Sequence, residues 1–499
     1  LLVTPQAANK TMGQGGFQEV EQMNLFKDMV CYQEEVRDPS RMAEVLNRVI
    51  EKAVRGSAPA QINVPRDYWT QVIDIELPPI VRLERQGGGS DAINKAAKLL
   101  SEAKFPVILS GAGVVIGGAI EDCKKLAEKL DSPVCSGYQH NDSFPGSHPL
   151  AVGPLGYNGS KAAMQLISKA DVVLALGTRL NPFSTLPGYG LDYWPKDAKI
   201  IQVDMNSDRI GLTKKVTVGI CGDAKLVSQQ ILEKLSSKAG DHGREERKNL
   251  IHQTKSAWLQ TLTSLDHEDD DPGTVWNKEA RERDSDRMSP RQAWRAIQAG
   301  MPEDVIISSD IGNNCAIGNA YPTFEKGRKY LAPGLFGPCG YGFPSILGAK
   351  IGCPDTPVIG FAGDGAFGIS MNEMSSCARK EWPKITMVIF RNYQWGAEKR
   401  NSILWFDDNF VGTELDPELS YAKVANACGL KGVTVKTMEE TTKAIKQSCE
   451  DQKKGITTFI EIILNQELGE PFRRDAMKKP VEVAGINKKD MKPQKSAIN

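Results

Sequence analysis

The sequence predicts an α/β protein with three doubly wound parallel-sheet domains, the first of them incomplete. Three observations lead to this prediction. At roughly 100–200 residues per domain, a chain of 499 residues holds about three domains. Short runs of continuous apolar residues alternate with stretches of helical periodicity, which is typical of parallel strands buried on both faces. Segments rich in glycine, proline or charge separate the three units.

The composition argues against several classes of function. The 62 Lys and Arg residues balance 62 Asp and Glu residues, so the chain lacks the basic excess typical of proteins that bind nucleic acids or anionic membranes. No apolar run approaches the roughly 18–20 residues that a membrane-spanning helix needs. The 10 cysteines are scattered without a CxxC pair, which favours free thiols in a reducing compartment. We therefore expect a soluble, cytoplasmic protein.

Residues 1–80 are interpreted as the last part of a domain. Residues 39–55 have the apolar spacing of an amphipathic helix, and the buried strand predicted at 60–65 follows after a turn. This segment is small for a domain, whose usual size is about 100–150 residues. The sequence begins with Leu1 rather than Met and shows no basic start of a signal peptide. We therefore expect the sequence to be a fragment whose first domain begins upstream of Leu1.

A second α/β unit, residues 91–235, follows a linker rich in glycine and proline. Its predicted strands are the apolar runs at 106–110, 171–176 and 199–204. These runs are continuous rather than alternating, which indicates a parallel sheet covered on both faces.

Residues 236–288 are polar and charged, and we interpret them as a solvated helical connector with an acidic loop at 268–271. A third α/β unit spans residues 289–468 and begins with Ser289 and Pro290, an N-cap followed by proline at the first helical position. Residues 469–499 show little periodicity and are predicted to form a tail.

The stretch from Thr356 to Arg400 has the clearest chemical pattern. Its predicted elements, in order, are a strand at 358–362, the loop Gly363-Asp364-Gly365-Ala366, a helix over 370–379, a strand at 385–390 and the loop from Arg391 to Gly396. The carboxyl ends of parallel strands are where open α/β sheets bind ligands. The loops after these two strands are therefore the predicted binding site.

Asp364 and Asn392 are the candidate metal ligands of this site. Both supply hard oxygen atoms from neighbouring strand ends, which suits Mg²⁺ holding a diphosphate. The glycines on either side of Asp364 allow backbone N–H groups to approach a phosphate with no Cβ in the way. The 26 residues between Gly365 and Asn392 are enough for a crossover helix and the next strand.

The Gly-Asp-Gly motif, its spacing to Asn392 and the strand–helix–strand context resemble the signature of the thiamine diphosphate (ThDP) dependent enzymes. The resemblance implies two cofactors, ThDP and Mg²⁺. It implies that the metal is bound by Asp364, Asn392 and Gln394, and that the cofactor also contacts Gly363, Gly365 and Ala366.

A second stretch, from Gly337 to Ala349, resembles the segment beneath the cofactor in the acetolactate synthase and pyruvate oxidase branch of this family. By that resemblance, the carbonyl of Gly337 accepts a hydrogen bond from the aminopyrimidine. Cys339 stands where the family usually has a bulky side chain that bends ThDP, and a small buried thiol is the alternative interpretation. Asn313 and Asn314 are implied to reach the diphosphate, although either one fits a helix N-cap equally well.

The family's domain order covers the chain. It implies a pyrimidine-binding domain that ends within residues 1–80, a central domain at 91–235 and a diphosphate-binding domain at 289–468. The central unit has Gly177-Thr178-Arg179-Leu180, similar to relatives that hold FAD, but Gly111-Ala112-Gly113 lacks the full GxGxxG spacing, so we do not predict FAD. The family also implies a homodimer or homotetramer with the active site at the subunit interface.

In most of the family a glutamate of the pyrimidine domain activates ThDP. The matched position would precede Leu1, so the catalytic residue is unknown in this sequence and we expect the activating glutamate upstream. A non-catalytic member of the family is therefore one alternative.

Two stretches resemble the sulfoacetaldehyde acetyltransferase branch of the family, namely Asn392–Asn401 and Gly469–Ala476. That branch converts sulfoacetaldehyde and phosphate to sulfite and acetyl phosphate in taurine and sulfonate breakdown. The candidate substrate contacts are Phe17, Gln18, Lys27, Lys399 and Arg400, although the lysines and the arginine also suit ordinary surface positions. An acetolactate synthase or a phosphate-dependent pyruvate oxidase is the alternative within the fold.

Overall fold

The computed structural model describes residues 1–79, 84–264, 275–405 and 409–469. The chain divides into two compact units, Leu1–Arg85 and the residues from Gln86 onward. The expected acidic loop at 268–271 lies outside the described residues, and so does the tail beyond Gly469 with most of the Gly469–Ala476 stretch.

The first unit is a three-stranded parallel sheet with the order β1-β3-β2. Its elements are β1 (Leu2–Gln6), α1 (Gln22–Phe26), β2 (Tyr32–Glu35), α2 (Met42–Gly56) and β3 (Ala60–Pro65). The helix α2 buries Val45 and Val49 against β3, as the apolar spacing predicts. The strand β3 has the predicted bounds, and all six of its residues are buried.

The second unit begins with a six-stranded parallel sheet of order β6-β5-β4-β7-β8-β9. Its elements are α3 (Ser90–Glu102), β4 (Pro106–Ser110), α4 (Ala112–Gly117), α5 (Ile120–Leu130), β5 (Val134–Ser136), β6 (Ala151–Pro154), α6 (Lys161–Ile167), β7 (Val172–Leu176), β8 (Lys199–Asp204), β9 (Val218–Cys221) and α7 (Ala224–Lys234). The central strands β4 and β7 are buried along their whole length, which explains their continuous apolar sequences.

Two helices connect this sheet to the next one, α8 (Arg244–Ser264) and α9 (Val275–Arg283). The connector is not solvated on every side, since Ile251 of α8 belongs to the core of the first six-stranded sheet. Arg247 is also buried, and its guanidinium donates hydrogen bonds to five backbone carbonyls, which lie between α3 and β4, at the end of α5 and just before α8.

The last sheet is parallel and has the order β11-β10-β12-β13-β15-β14. Its elements are α10 (Pro290–Gly300), β10 (Ile306–Ser309), α11 (Asn313–Ile317), β11 (Tyr330–Leu331), α12 (Gly342–Gly352), β12 (Val358–Gly363), α13 (Asp364–Ser370), α14 (Met374–Cys377), β13 (Thr386–Arg391), α15 (Gly396–Trp405), α16 (Tyr421–Ala427), β14 (Lys431–Val435), α17 (Met438–Lys453) and β15 (Thr458–Ile463). Ser289 caps α10 through a capping box, as predicted.

Alternate residues of β12 and β13 belong to two separate apolar clusters. Phe361 and Phe390 lie in one cluster, and Val358 and Ile389 lie in the other. Successive side chains of a strand point to opposite faces of its sheet, so both faces of this sheet are buried. The three parallel-sheet α/β parts predicted from the sequence are therefore confirmed.

Candidate functional site

The candidate site lies where β12 and β13 end side by side. These strands are parallel neighbours, with Gly363 paired to Phe390, so the loops that follow them meet at one edge of the sheet. The backbone N–H of Tyr393 donates a hydrogen bond to Oδ2 of Asp364 over 2.7 Å. The structure therefore brings the Gly-Asp-Gly loop and the Asn392 loop into direct contact.

The helix after β12 begins six residues earlier than predicted. It starts at Asp364, directly after the strand, and ends at Ser370, which was the predicted start. The two glycines and the short length of this helix hid its periodicity, because glycine has a low helix propensity. The carboxylate of Asp364 consequently lies in the first turn of α13, where the helix dipole favours negative charge.

Asp364 is almost completely buried, with 1% of its surface exposed. Oδ1 accepts a hydrogen bond from the N–H of Gly365 over 2.9 Å, and Nη1 of Arg391 lies 3.1 Å from Oδ2. Burial raises the pKa of the Asp364 carboxyl to about 6, although the charge of Arg391 and the N–H of Tyr393 oppose this shift. A bound cation would favour the ionised carboxylate.

The side chains of Asn392 and Gln394 are buried beside this carboxylate loop. Within the described part of the chain, Nδ2 of Asn392 and Oε1 of Gln394 have no hydrogen-bond partner. Nε2 of Gln394 donates to the carbonyl of Gln466 over 3.1 Å, which leaves the amide oxygen as the unpartnered atom. Buried polar atoms without partners are uncommon, and a bound ligand or ion is one explanation for them; of these two atoms, the amide oxygen of Gln394 is the one able to bind a cation.

This donor set fits the cation and the diphosphate that the sequence predicts. One carboxylate and two side-chain amides offer the hard oxygen atoms that Mg²⁺ prefers. No group of three or more His, Cys, Asp or Glu side chains among the described residues is arranged to hold a metal ion. A Cβ at Gly363 would meet no atom within 4 Å, so its backbone is open to a ligand.

The segment from Gly337 to Gly342 is held against the same edge of the sheet. The carboxylate of Asp310 accepts hydrogen bonds from the N–H groups of Gly342, Gly340 and Ile311 at 2.7, 3.1 and 2.8 Å. A Cβ at position 342 would lie 2.5 Å from the carbonyl oxygen of Phe361. Only glycine therefore allows α12 to start this close to β12.

Cys339 lies in this segment and is exposed, which does not favour the alternative interpretation as a small buried residue. Partial desolvation, with further contributions from the carboxylates of Asp310 and Glu398, raises its pKa. Gly337 has a φ of +60°, a conformation that glycine adopts without strain.

The prediction that Asn313 contacts a diphosphate is not supported by its surroundings. Its Oδ1 accepts a hydrogen bond from the N–H of Gly469 over 2.7 Å, and its Nδ2 donates to the carbonyl of Glu467 and to Oδ1 of Asn314. The side chain of Asn313 instead fixes the segment that follows β15. Two of its partners, Glu467 and Gly469, lie more than 150 residues away in the chain, so local sequence could not reveal them.

The predicted substrate contacts have different environments. Lys399 and Arg400 are buried rather than exposed, and the ammonium of Lys399 forms an ion pair with Glu414. Burial lowers the pKa of Lys399, whereas Glu414 opposes that shift. Lys399 therefore does not offer a solvent-facing cation to an anionic substrate. In the first unit, Phe17, Gln18 and Lys27 are exposed.

Arg391 and Gln466 were not predicted to belong to the site. Arg391 ends a strand whose other residues are mostly apolar, and this charge at the end of an apolar strand could have identified it as a candidate site residue. Gln466 left no comparable signal. Its side chain accepts a hydrogen bond from Arg283 over 2.6 Å and donates to Glu414 over 3.1 Å, while its carbonyl orients Gln394.

In the described ranges, no helix is both long enough and apolar enough to cross a membrane.

Comparison with protein families gives two matches that together cover more than half of the chain. Residues 93–234 match the thiamine pyrophosphate enzyme, central domain, and residues 310–462 match the thiamine pyrophosphate enzyme, C-terminal TPP binding domain. The second match contains β12, β13 and the loops of the candidate site.

Two curated relatives and one solved structure are similar over most of the chain. A probable sulfoacetaldehyde acetyltransferase of Rhizobium meliloti (strain 1021) is 78% identical over 495 residues, which is 99% of this chain and 84% of the relative. A sulfoacetaldehyde acetyltransferase of Roseovarius nubinhibens is 75% identical and covers 99% of this chain and 82% of that protein. The crystal structure of benzoylformate decarboxylase from Polynucleobacter necessarius has a TM-score of 0.73 at 19% identity, covering 94% of this chain and 82% of that one, which shows a shared fold.

Proposed function

Because the chain belongs to the thiamine pyrophosphate enzymes and, among them, to the sulfoacetaldehyde acetyltransferase family, we propose that it converts sulfoacetaldehyde and phosphate to acetyl phosphate and sulfite. The observation that carries this proposal is the 78% identity to one such relative over 99% of the chain. The buried carboxylate and amides at the ends of β12 and β13 supply a site for the cofactors that this activity needs.

We propose that Asp364, Asn392 and Gln394 bind Mg²⁺, and that the metal holds the diphosphate of ThDP. The backbone at Gly363, Gly365 and Ala366 would approach the same diphosphate. Gly337, Cys339 and Asn314 are the other proposed cofactor contacts, whereas the contacts of Asn313 favour a structural role. Bound ThDP supplies the electron sink that carbon–sulfur bond cleavage requires.

The protein's own contribution is to orient these groups. Asp310 fixes the N–H groups of Gly340 and Gly342, which sets the path of the segment beneath the proposed cofactor position. The carbonyl of Gln466 turns the amide oxygen of Gln394 away from itself and leaves it for the metal. Such groups lower the cost of assembling the site because they are already in place before binding.

Sulfoacetaldehyde and phosphate are both anions, so we propose that cationic and polar side chains contact them. The proposed contacts are Arg400 from α15 and Phe17, Gln18 and Lys27 from the first unit. The ion pair between Lys399 and Glu414 favours a structural role for Lys399 instead.

We further propose a homodimer or homotetramer with the active site at a subunit interface. The exposed apolar side chains of Leu335 and Phe336, directly before Gly337, support this proposal, because exposed apolar groups mark interaction surfaces.

All 10 cysteines have free thiols, which supports a cytoplasmic location. The proposed metabolic role is the breakdown of taurine and related sulfonates.

The experiment that tests this function supplies the full-length protein with ThDP, MgCl₂ and phosphate, and compares sulfoacetaldehyde with pyruvate. We expect sulfite and acetyl phosphate from sulfoacetaldehyde and no turnover of pyruvate. Acetolactate or acetyl phosphate formed from pyruvate, without sulfite release from sulfoacetaldehyde, would instead support the acetolactate synthase or pyruvate oxidase alternative. Binding of ThDP without turnover of either substrate would support a non-catalytic member.

A further inference from the structure

Arg391 is a buried cation in direct contact with the proposed metal ligand Asp364. Its side chain is 1% exposed, and its Nη1 lies 3.1 Å from Oδ2 of Asp364. A buried charge is costly unless it is paired and hydrogen-bonded, and Asp364 supplies the carboxylate that pairs with this guanidinium. Arg391 thus lies beside the proposed metal site, in contact with one of its proposed ligands.

The two oxygen atoms of Asp364 have different numbers of donors. Oδ2 accepts from Nη1 of Arg391 and from the N–H of Tyr393, which uses both of its lone-pair directions. Oδ1 accepts only from the N–H of Gly365 among the described contacts, which leaves one direction for a cation. A cation bound here would therefore meet one oxygen of the Asp364 carboxylate, in the monodentate mode.

The guanidinium of Arg391 is itself held in place from several sides. Its Nη2 donates to the carbonyls of Asp416 and Leu419, the latter over 2.9 Å. The rings of Tyr393 and Tyr421 flank it, with their centroids 4.3 and 5.5 Å from its central carbon. Arg391 therefore cannot turn away from Asp364 without losing these other contacts.

A second carboxylate balances the charge on the far side of the guanidinium. Oε1 of Glu461 lies 3.8 Å from Nε of Arg391, and Glu461 is 2% exposed. Its oxygens accept hydrogen bonds from Ser420, from the N–H of Tyr421 and from Thr434. Glu461 thus belongs to the same buried cluster as Asp364 but is held away from it by Arg391.

We propose that Arg391 is a positioning residue that restricts Asp364 to monodentate coordination and thereby makes the site prefer Mg²⁺ over Ca²⁺. This inference rests on the proposed role of Asp364 as a metal ligand. Mg²⁺ takes six ligands in a small octahedron and suits a single carboxylate oxygen. Ca²⁺ takes six to eight oxygens and readily uses a carboxylate in the bidentate mode, which Arg391 and Tyr393 prevent here.

The test measures the affinity of each metal in the apoprotein at a fixed, excess concentration of ThDP. MgCl₂ and CaCl₂ are titrated separately, and tryptophan fluorescence is followed, because Trp395 packs directly against Gly365 in the candidate site. The quantity of interest is the dissociation constant for Ca²⁺ divided by that for Mg²⁺. The ratio is informative because a general loss of folding or of charge changes the dissociation constants of both divalent ions alike.

Three variants separate positioning from stability. Arg391→Met removes the restraint on Asp364. The double variant Arg391→Met/Glu461→Gln removes one positive and one negative charge together. The net charge of the buried cluster is therefore kept, and we expect this variant to fold. Glu461→Gln alone changes the same cluster but leaves the contact between Arg391 and Asp364, and it serves as the matched control.

We expect the Ca²⁺/Mg²⁺ ratio of the two variants without Arg391 to fall by roughly tenfold, the lower end of the effect of residues that orient metal ligands. The ratio of Glu461→Gln should stay at the wild-type value. An unchanged ratio in the folded double variant, while the wild type binds ThDP in a metal-dependent manner, would overturn this inference and leave the proposed function standing. Absence of metal-dependent ThDP binding in the wild type would overturn both.

Discussion

The N–H of Gly342 donates a hydrogen bond to Oδ2 of Asp310 over 2.7 Å and thereby fixes the first turn of α12 against the end of β10. The same turn approaches β12 so closely that a Cβ at position 342 would lie 2.5 Å from the carbonyl oxygen of Phe361. Helix, strand and carboxylate thus form one unit beneath the proposed cofactor position.

Replacement of Gly342 by alanine tests this close packing. Because the new Cβ would overlap a backbone atom, we expect Gly342→Ala to lower the free energy of unfolding by about 2 kcal/mol and to weaken ThDP binding. Chemical denaturation and ThDP titration measure the two effects.

Gly348 is the matched control on the same helix, since a Cβ there meets no atom within 4 Å. Gly348→Ala should leave ThDP binding unchanged and raise stability by up to about 1 kcal/mol, because alanine is the better helix former. Equal effects of the two replacements would contradict the packing argument.

Asn392→Ala should weaken metal binding without a loss of stability. Its Nδ2 has no partner within the described residues, so the amide contributes little to the fold. We expect the affinity for Mg²⁺ in the presence of ThDP to fall by roughly 10–100-fold, while the melting temperature of the apoprotein stays near the wild-type value. Calorimetric titration and thermal unfolding give the two readings.

Asp364→Ala provides the contrast, because it removes a proposed metal ligand and also the partner of Arg391. We expect a similar loss of metal affinity together with a decrease of about 3 kcal/mol in the free energy of unfolding, since a buried arginine loses its ion pair. If Asp364→Ala proved as stable as Asn392→Ala, the buried ion pair between Asp364 and Arg391 would contribute less to the free energy of unfolding than we infer.

Asp142→Asn should stabilise the protein at alkaline pH. Burial raises the pKa of the Asp142 carboxyl, and Oδ1 of Asp142 has no partner within the described residues. A raised pKa means that the folded state prefers the neutral carboxyl, so the stability that Asp142 contributes is present at low pH and is lost as pH rises through that pKa. Asparagine mimics the neutral form at every pH and can still accept from the N–H of Lys329.

The measurement is the difference in melting temperature between Asp142→Asn and the wild type across a pH series. We expect the variant to melt higher at pH 8 and the difference to shrink as the pH is lowered toward 4. If the difference in melting temperature grew on acidification, the result would contradict a raised pKa of the Asp142 carboxyl in the folded state.

Arg247→Ala should destabilise the fold without affecting the cofactor site. Arg247 donates to five carbonyls at 2.6–2.9 Å, and its loss leaves several of these buried acceptors unpaired, so we expect about 3 kcal/mol of destabilisation. ThDP affinity of the folded variant should match the wild type. The neighbouring Lys248 is half-exposed and 3.6 Å from Asp131, so Lys248→Ala should cost less than about 1 kcal/mol.

Much of the fold could be predicted from the sequence because the parallel strands are continuous apolar runs. The strands at 60–65, 106–110 and 199–204 have the predicted bounds. The start of α13 was missed since glycines conceal a short helix, and the packing of α8 was missed because its buried residues are few and widely spaced along a polar helix.

The candidate metal loops could also be predicted, because Asp364 and Asn392 follow adjacent strands at a characteristic spacing. The partners of other residues could not be predicted. Lys399 pairs with Glu414, and Asn313 binds the backbone near Gly469, and both contacts depend on how distant segments fold against the sheet. Local patterns identify chemistry-bearing residues, whereas tertiary contacts decide which of them remain available to a ligand.

The most direct test of the central claim follows sulfite and acetyl phosphate together while the full-length protein turns over sulfoacetaldehyde in phosphate buffer. We predict that the two products form in equal amounts, that both depend on added ThDP and Mg²⁺, and that Asn392→Ala reduces both to the same extent. Sulfite release that continues at an unchanged rate without ThDP, or without Asn392, would contradict the account.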